Sequence, residues 1–191
     1  MGKKAISLKK YLKVARKRPS KAIKLLERQP DLAKAIWKGN NKWIPGSTPL
    51  HWAAHDGHLK LVKRLVALGA EINAKEANWW CRPIDWAADS GQFKVVRYLI
   101  QQGAELGGDQ WSNATPLHAA AQGGSTNARE NSKAYEKTIK VLLKGGAEIN
   151  AIATYGGKPP KLTPLDDAER VGNKIAAKTL IKKKAKRSKE L

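Results

Sequence analysis

Apolar residues in this chain recur at helical spacing in short blocks, and polar or turn-forming residues separate the blocks at regular distances. Leu8, Leu12 and Ala15 share one helical face, with Ser7 placed to cap its start. Pro19 and Ser20 break that pattern, and Ala22-Ile-Lys-Leu25-Leu26 begins a second amphipathic helix that ends before Pro30. Asp31 is placed to cap a further short turn running to Trp37. The two-helix rhythm then continues. A helix starting at Pro49 is divided by Gly57-His58 from Leu59-Lys-Leu61-Val62-Lys-Arg-Leu65-Val66, and Gly91 divides Pro83–Asp89 from Phe93-Lys-Val95-Val96-Arg-Tyr-Leu99-Ile100. Asn173 suits the N-cap of a last helix over Lys174–Lys184, and the basic run behind it reads as a frayed tip.

The blocks repeat in wording as well as in rhythm. Thr48-Pro-Leu-His51-Trp-Ala-Ala closes at Leu68-Gly-Ala-Glu-Ile-Asn73-Ala. Arg82-Pro-Ile-Asp85-Trp-Ala-Ala runs to Gln102-Gly-Ala104, Thr115-Pro-Leu-His118-Ala-Ala-Ala runs to Gly145-Gly-Ala-Glu-Ile-Asn150-Ala, and Thr163-Pro-Leu-Asp166 opens a further copy. A period of about 33 residues with this wording resembles the ankyrin-repeat family. The resemblance implies an all-α solenoid of antiparallel helix pairs joined by β-hairpin-like loops. About five repeats would form one domain over residues 1–185: a divergent N-terminal cap (1–40), repeats at 41–74, 75–107 and 108–151, a C-terminal cap (152–185), and a basic tail at 186–191. Judged against that period, residues 125–134 are an insertion of about ten residues. The insertion reads as a polar surface excursion that lengthens the helix after it.

The same resemblance makes Thr48, His51, Thr115 and His118 structural, since the family uses this Thr and His to tie the first helix to its neighbours. Arg82, Asp85 and Asp166 depart from the pattern. Partner contact in the family falls on hairpin tips and the adjoining concave face. Mapped here, the tips contain Trp43, Ile44, Trp79, Trp80, Trp111 and Tyr155, and the neighbouring helix positions include His55, Asp89 and Gln122. Four of the seven tryptophans therefore sit at tips, and Trp80 replaces the usual turn glycine. Large aromatics on successive tips would bury much apolar area against a partner at low entropic cost. Trp52 and Trp86, at packing positions, read as core, as does Trp37 at the first cap.

Charge changes the picture at the ends. The formal net charge is +21. Residues 1–40 carry 13 Lys/Arg against Glu27 and Asp31, residues 41–172 carry 16 against 13 acids, and residues 173–191 carry 8 against Glu190. One-sided charge of this kind points to a polyanionic partner, either an acidic protein surface or nucleic acid. The candidate contacts are Lys9, Lys10, Lys13, Arg16, Lys17 and Arg18 at one end and Lys182, Lys183, Lys184, Lys186 and Arg187 at the other.

Candidate chemistry is sparse. His51, His55 and His58 fall at i, i+4 and i+7, but Gly57 interrupts the helix and the family expects structural histidines at two of these places, so no metal is assigned. The helix-start acids Asp85, Asp166 and Asp167 suit the positive end of a helix dipole. No phosphate-cradling loop, nucleophile elbow or supported carboxylate pair is present, so neither an enzyme nor a cofactor is expected. One cysteine (Cys81), no membrane-length apolar run and no secretory leader fit a cytoplasmic protein, and Lys182–Arg187 also fits a nuclear import signal. The reading is a monomeric, non-catalytic binding module that grips a protein partner through aromatic tips and concave face, as inhibitor or adaptor of an enzyme. The alternative is a nucleoprotein component holding RNA or DNA backbone through its basic ends.

Overall fold

A computed structural model describes residues 5–39, 44–109, 112–123, 132–155 and 161–191. The chain folds as five helix pairs in series. These are α1 (Leu8–Lys17) with α2 (Pro19–Arg28), α3 (Pro49–His55) with α4 (Leu59–Ala67), α5 (Pro83–Asp89) with α6 (Phe93–Gln101), α7 (Pro116–Gln122) with α8 (Ser132–Lys144), and α9 (Pro164–Arg170) with α10 (Lys174–Lys182). Two 3₁₀ turns, Pro30–Lys34 and Ser188–Glu190, complete the described elements. Among the described residues the hairpin loops hold one antiparallel bridge, Ala153 with Leu162, and no regular strand.

Local chemistry sets the helix limits. Ser7 caps α1 through the Lys10 N–H (3.4 Å), and Asn173 caps α10 through the Ala176 N–H (3.1 Å). α3, α5, α7 and α9 each begin on a proline, whose missing N–H is no loss at a first helical position. Gly57 ends α3 at φ +72°, where a Cβ would lie 2.2 Å from Gln92 Oε1. The same Gln92 amide donates to the His55 carbonyl (3.2 Å), fastening one repeat to the next. α8 has 13 residues where α4, α6 and α10 have nine. Its first turn, residues 132–134, is the end of the insertion read from the sequence. Residues 125–131 of that insertion lie outside the described residues.

The first helices of the pairs stack in one row and the second helices in another. Ala53–Ala54, Ala87–Ala88 and Ala120–Ala121 are buried between first helices. Such small side chains let α3, α5 and α7 approach more closely than α4 does α6. Closer packing on one side curves the stack, so α1, α3, α5, α7 and α9 form the concave face and the second helices the convex one. Leu12, Leu26, Leu50, Leu61, Leu65, Ile84, Leu99, Leu117, Ile139, Leu142, Leu165 and Leu180 form a continuous apolar layer between the two rows. Trp37 packs against that layer at the first cap.

Candidate functional site

The concave face is positioned by one hydrogen-bond device built in three chemistries. In the Thr–His version the Thr48 N–H donates to His51 Nδ1 (3.1 Å), which fixes the tautomer so that Nε2–H donates to the Cys81 carbonyl of the next hairpin (3.0 Å). Thr115 and His118 repeat it onto the Leu162 carbonyl (3.0 Å). Burial lowers the His51 pKa to about 4, which keeps the ring neutral as this role requires. Arg82 and Asp85 do the same work with charges. The Arg82 N–H donates to Asp85 Oδ2 (2.7 Å), the guanidinium forks onto both carboxylate oxygens (2.9 and 3.2 Å), and Nη2 reaches the Gly107 carbonyl (2.7 Å). In the last repeat Asp166 accepts from the Thr163 N–H (2.8 Å) and from the Ser188 N–H of the tail (2.9 Å). The three departures from the repeat wording thus preserve its geometry.

The tips are organised by acids, one of them buried. Glu76, only 1% exposed, accepts from the N–H groups of Asn78 (2.7 Å), Trp79 (2.8 Å) and Cys81 (3.2 Å). This wraps the backbone of residues 78–81 around one carboxylate and leaves Trp79 56% and Trp80 43% exposed. Trp80 takes φ +58°, the left-handed conformation that its glycine-like position demands. Asp109 holds its own tip through the Ser112 N–H (2.6 Å). Glu76 and Asp109 were not among the residues singled out from the sequence. Trp43 and Trp111, which were, lie outside the described residues.

Beneath these tips lies a concave cavity of about 590 Å³. Ile44, Trp79, Tyr155, His55, Asp89 and Gln122 all line it, so candidates drawn from four repeats meet at one place. Trp80 is not among the lining residues. Trp52 and Trp86 change the picture most: Trp52 is buried and Trp86 only half-buried, and both also form cavity wall instead of serving purely as core. Their rings meet edge-on at 5.0 Å and 90°, and Trp52 Nε1 donates to the buried Ser47 hydroxyl (3.0 Å). Tyr155 does not project as a free tip. Its hydroxyl donates to Asp167 and accepts from Gln122, while Arg170 pairs with the same carboxylate (2.8 Å). Burial, with Asp167 beside the hydroxyl, pushes the Tyr155 pKa up.

The structure redistributes the basic charge. Arg16 belongs to the concave rim: its guanidinium lies 4.8 Å from the Trp52 ring centre and forks onto Asp56 (2.9 and 3.3 Å). Burial works against ionisation of Asp56, but bonds from His55 and Arg16 outweigh it and lower its pKa. The C-terminal tip, read from sequence as frayed, is docked. Arg187 forks onto Glu169 (2.9 and 2.6 Å) and pairs with Glu190 (2.9 Å), and the Lys186 N–H donates to Asn150 Oδ1 (2.8 Å). Lys9, Lys10, Lys13, Lys17, Arg18, Lys182, Lys183, Lys184 and Lys186 are exposed.

A larger basic surface lies on the convex helices. Lys21, Lys24 and Arg28 on α2, Lys60, Lys63 and Arg64 on α4, and Lys94 and Arg97 on α6 face outward. Lys133, Lys137, Lys140 and Lys144 on α8 and Lys174, Lys178 and Lys182 on α10 continue the surface. These fifteen cations share their five helices with two acids, Glu27 and Glu136. The nearly neutral middle of the sequence is therefore polarised in space, since Asp85, Asp89, Asp166, Asp167 and Glu169 all lie on first helices.

The candidate histidines are not gathered on one point. His51 serves its cap, His55 bonds Asp56 (2.8 Å) and His58 bonds the Arg16 carbonyl (3.0 Å), so the three point to separate partners. Among the described residues no group of three or more His, Cys, Asp or Glu is placed to hold a metal ion. No helix among them is long and apolar enough to cross a membrane. A family model of ankyrin repeats in three copies matches residues 14–108, and a single ankyrin-repeat model matches residues 112–153. No curated protein matches the chain. Ankyrin repeats are typically non-catalytic modules for protein–protein interaction. With those two matches joined end to end over the stacked helix pairs, the chain belongs to the ankyrin-repeat family.

Proposed function

We propose that this protein captures a protein partner in its concave cavity, acting as an inhibitor or adaptor and carrying out no reaction of its own. One observation carries the reading: Ile44, His55, Trp79, Asp89, Gln122 and Tyr155, which belong to four different repeats, line a single cavity walled by Trp52 and Trp86. A cleft of that size with tryptophan walls and a few polar groups at its edge suits a protruding apolar side chain or loop. Several polar groups nearby are already committed within the chain, Asp85 to Arg82 and Tyr155 to Asp167. The surface left for a partner is therefore mainly aromatic. Exposed lysines at both ends speed encounter with an acidic surface more than they add affinity.

Affinity capture from native lysate after nuclease treatment tests this. Trp79→Ala with Trp86→Ala should lose the proteins that the unaltered chain retains, because central aromatic anchors contribute about 2 kcal/mol or more each, roughly thirty-fold in affinity. Trp80→Ala, outside the cavity, should retain them. Equal retention by all three proteins would refute the cavity as the binding site.

A further inference from the structure

We propose that the groove between α6 and α8 on the convex face binds the phosphate backbone of single-stranded nucleic acid. The groove encloses about 660 Å³, with Arg97 on one wall and Lys137, Lys140 and Lys144 on the other. Spacing of i, i+3 and i+7 puts the three lysines on one face of α8 over about 10 Å, at 1.5 Å rise per residue. Of these four cations, only Lys140 has a carboxylate partner among the described residues, Glu136 at 2.5 Å, and Arg97, Lys137 and Lys144 make no ion pair there. Four like charges around one concavity repel one another, and a chain of phosphates relieves all four at once.

Shape and chemistry narrow the occupant. The cations continue beyond the groove onto the neighbouring convex helices, which suits a long polymer over a compact anion. A surface groove of this volume between two packed helices takes the backbone of one strand and is too narrow for a duplex. An anionic membrane is flat, and a convex stack meets a plane along its crest only. The floor adds the second half of a single-strand site. Half-buried Phe93, with Lys137 5.1 Å and Lys94 6.0 Å from its ring centre, offers an aromatic surface for a base beside cations for the backbone. Because the groove faces away from the concave cavity, a strand and a protein partner can be held together.

The test uses the full chain and a fluorescent oligouridylate of about fifteen nucleotides, within the span that such sites cover. Anisotropy should show binding at about 50 mM salt with a steep dependence on salt. Two variants of equal charge separate groove from ends: Arg97→Gln/Lys137→Gln/Lys140→Gln/Lys144→Gln, and Lys9→Gln/Lys10→Gln/Lys13→Gln/Lys17→Gln. At about 0.7 per phosphate contact, the groove variant should flatten the log–log salt slope by about 2 to 3 and weaken binding at least about ten-fold, while the end variant changes the slope by less than about 1. Equal effects from the two variants would overturn the proposal, as would absence of binding by the unaltered chain. Tighter binding of a duplex, of polyglutamate or of phosphatidylserine vesicles would overturn it too. A readout free of variants is photocrosslinking of a 4-thiouridine strand to the unaltered chain: adducts on α6 and α8 support the groove, and adducts confined to other segments refute it.

Discussion

Arg82 shows how a residue that breaks a repeat can still serve it. Its side chain is 1% exposed, yet it places two donors on Asp85, one on Gly107, and one in a longer contact to Glu105 (3.4 Å). Burial opposes its charge, and Asp85 and Glu105 raise its pKa in spite of that. Removing one partner of such a pair strands the other in a dry site, at about 3–5 kcal/mol. Arg82→Thr alone and Asp85→His alone should each be strongly destabilising. The double variant rebuilds the Thr–His device of Thr48 and His51 and should return to within about 1 kcal/mol of the unaltered chain, a coupling that additive losses never give. Urea unfolding of the four proteins measures it, and additive single effects would mean that the pair is not a substitute for Thr–His. The departure is visible in the sequence as Arg and Asp at the Thr and His positions. Its geometry is not, because the third partner, the Gly107 carbonyl, lies 25 residues away on the next hairpin.

At the scale of elements, α4, α6, α8 and α10 each end in a tight left-handed turn, and the last one lacks its glycine. Gly69 and Gly146 take φ +79° and +97° after α4 and α8, and Lys184 takes φ +63° at the same place after α10. The bonds match: Ala70 donates to Leu65 (3.0 Å) and Ala185 to Leu180 (3.1 Å). The next step matches as well, since Asn150 accepts from the Lys186 N–H as Asn73 does from the Glu105 N–H (3.0 Å). The C-terminal residues are thus the start of a further hairpin, which is why they dock. A left-handed non-glycine residue carries about 1 kcal/mol of strain, so Lys184→Gly should raise stability by about 0.5–1 kcal/mol in urea melts and slow amide exchange in α10. An unchanged or lower midpoint would show that the turn is not under strain. Helix limits were legible because Pro, Gly and the N-caps act locally. The docking of the tail was not, since Lys186–Arg187 reads as a solvated charge run until Asn150 and Glu169 are seen beside it. Trp86, packed against the core yet also lining the cavity, was legible only in part for a related reason. Its position faces a neighbouring helix in sequence register, and only the close approach of the first helices turns that edge into cavity wall.

For the whole molecule, summing charge along the sequence hid its organisation. Acids on α5, on α9 and in the loops offset the cations of the second helices along the sequence, so segment totals come out low while fifteen cations gather on the convex face. A row of fifteen cations with two acids also repels itself in the folded state. Charges on adjacent helices act across distances comparable to the Debye length, about 10 Å at 0.1 M salt, so that repulsion is felt at low salt and screened at high salt. The melting temperature should therefore rise between about 20 mM and about 500 mM sodium chloride. The groove variant lacking the charges of Arg97, Lys137, Lys140 and Lys144 should melt higher than the unaltered chain at low salt and gain less from added salt. It loses the Glu136–Lys140 pair, but that pair is solvent-exposed and stabilises little. A variant that melts lower, with an undiminished salt increment, would show that the convex charge is balanced within the chain. If the increment shrinks as expected, the same four residues that weaken the fold are those placed to hold a strand, the exchange of stability for binding that a functional surface makes.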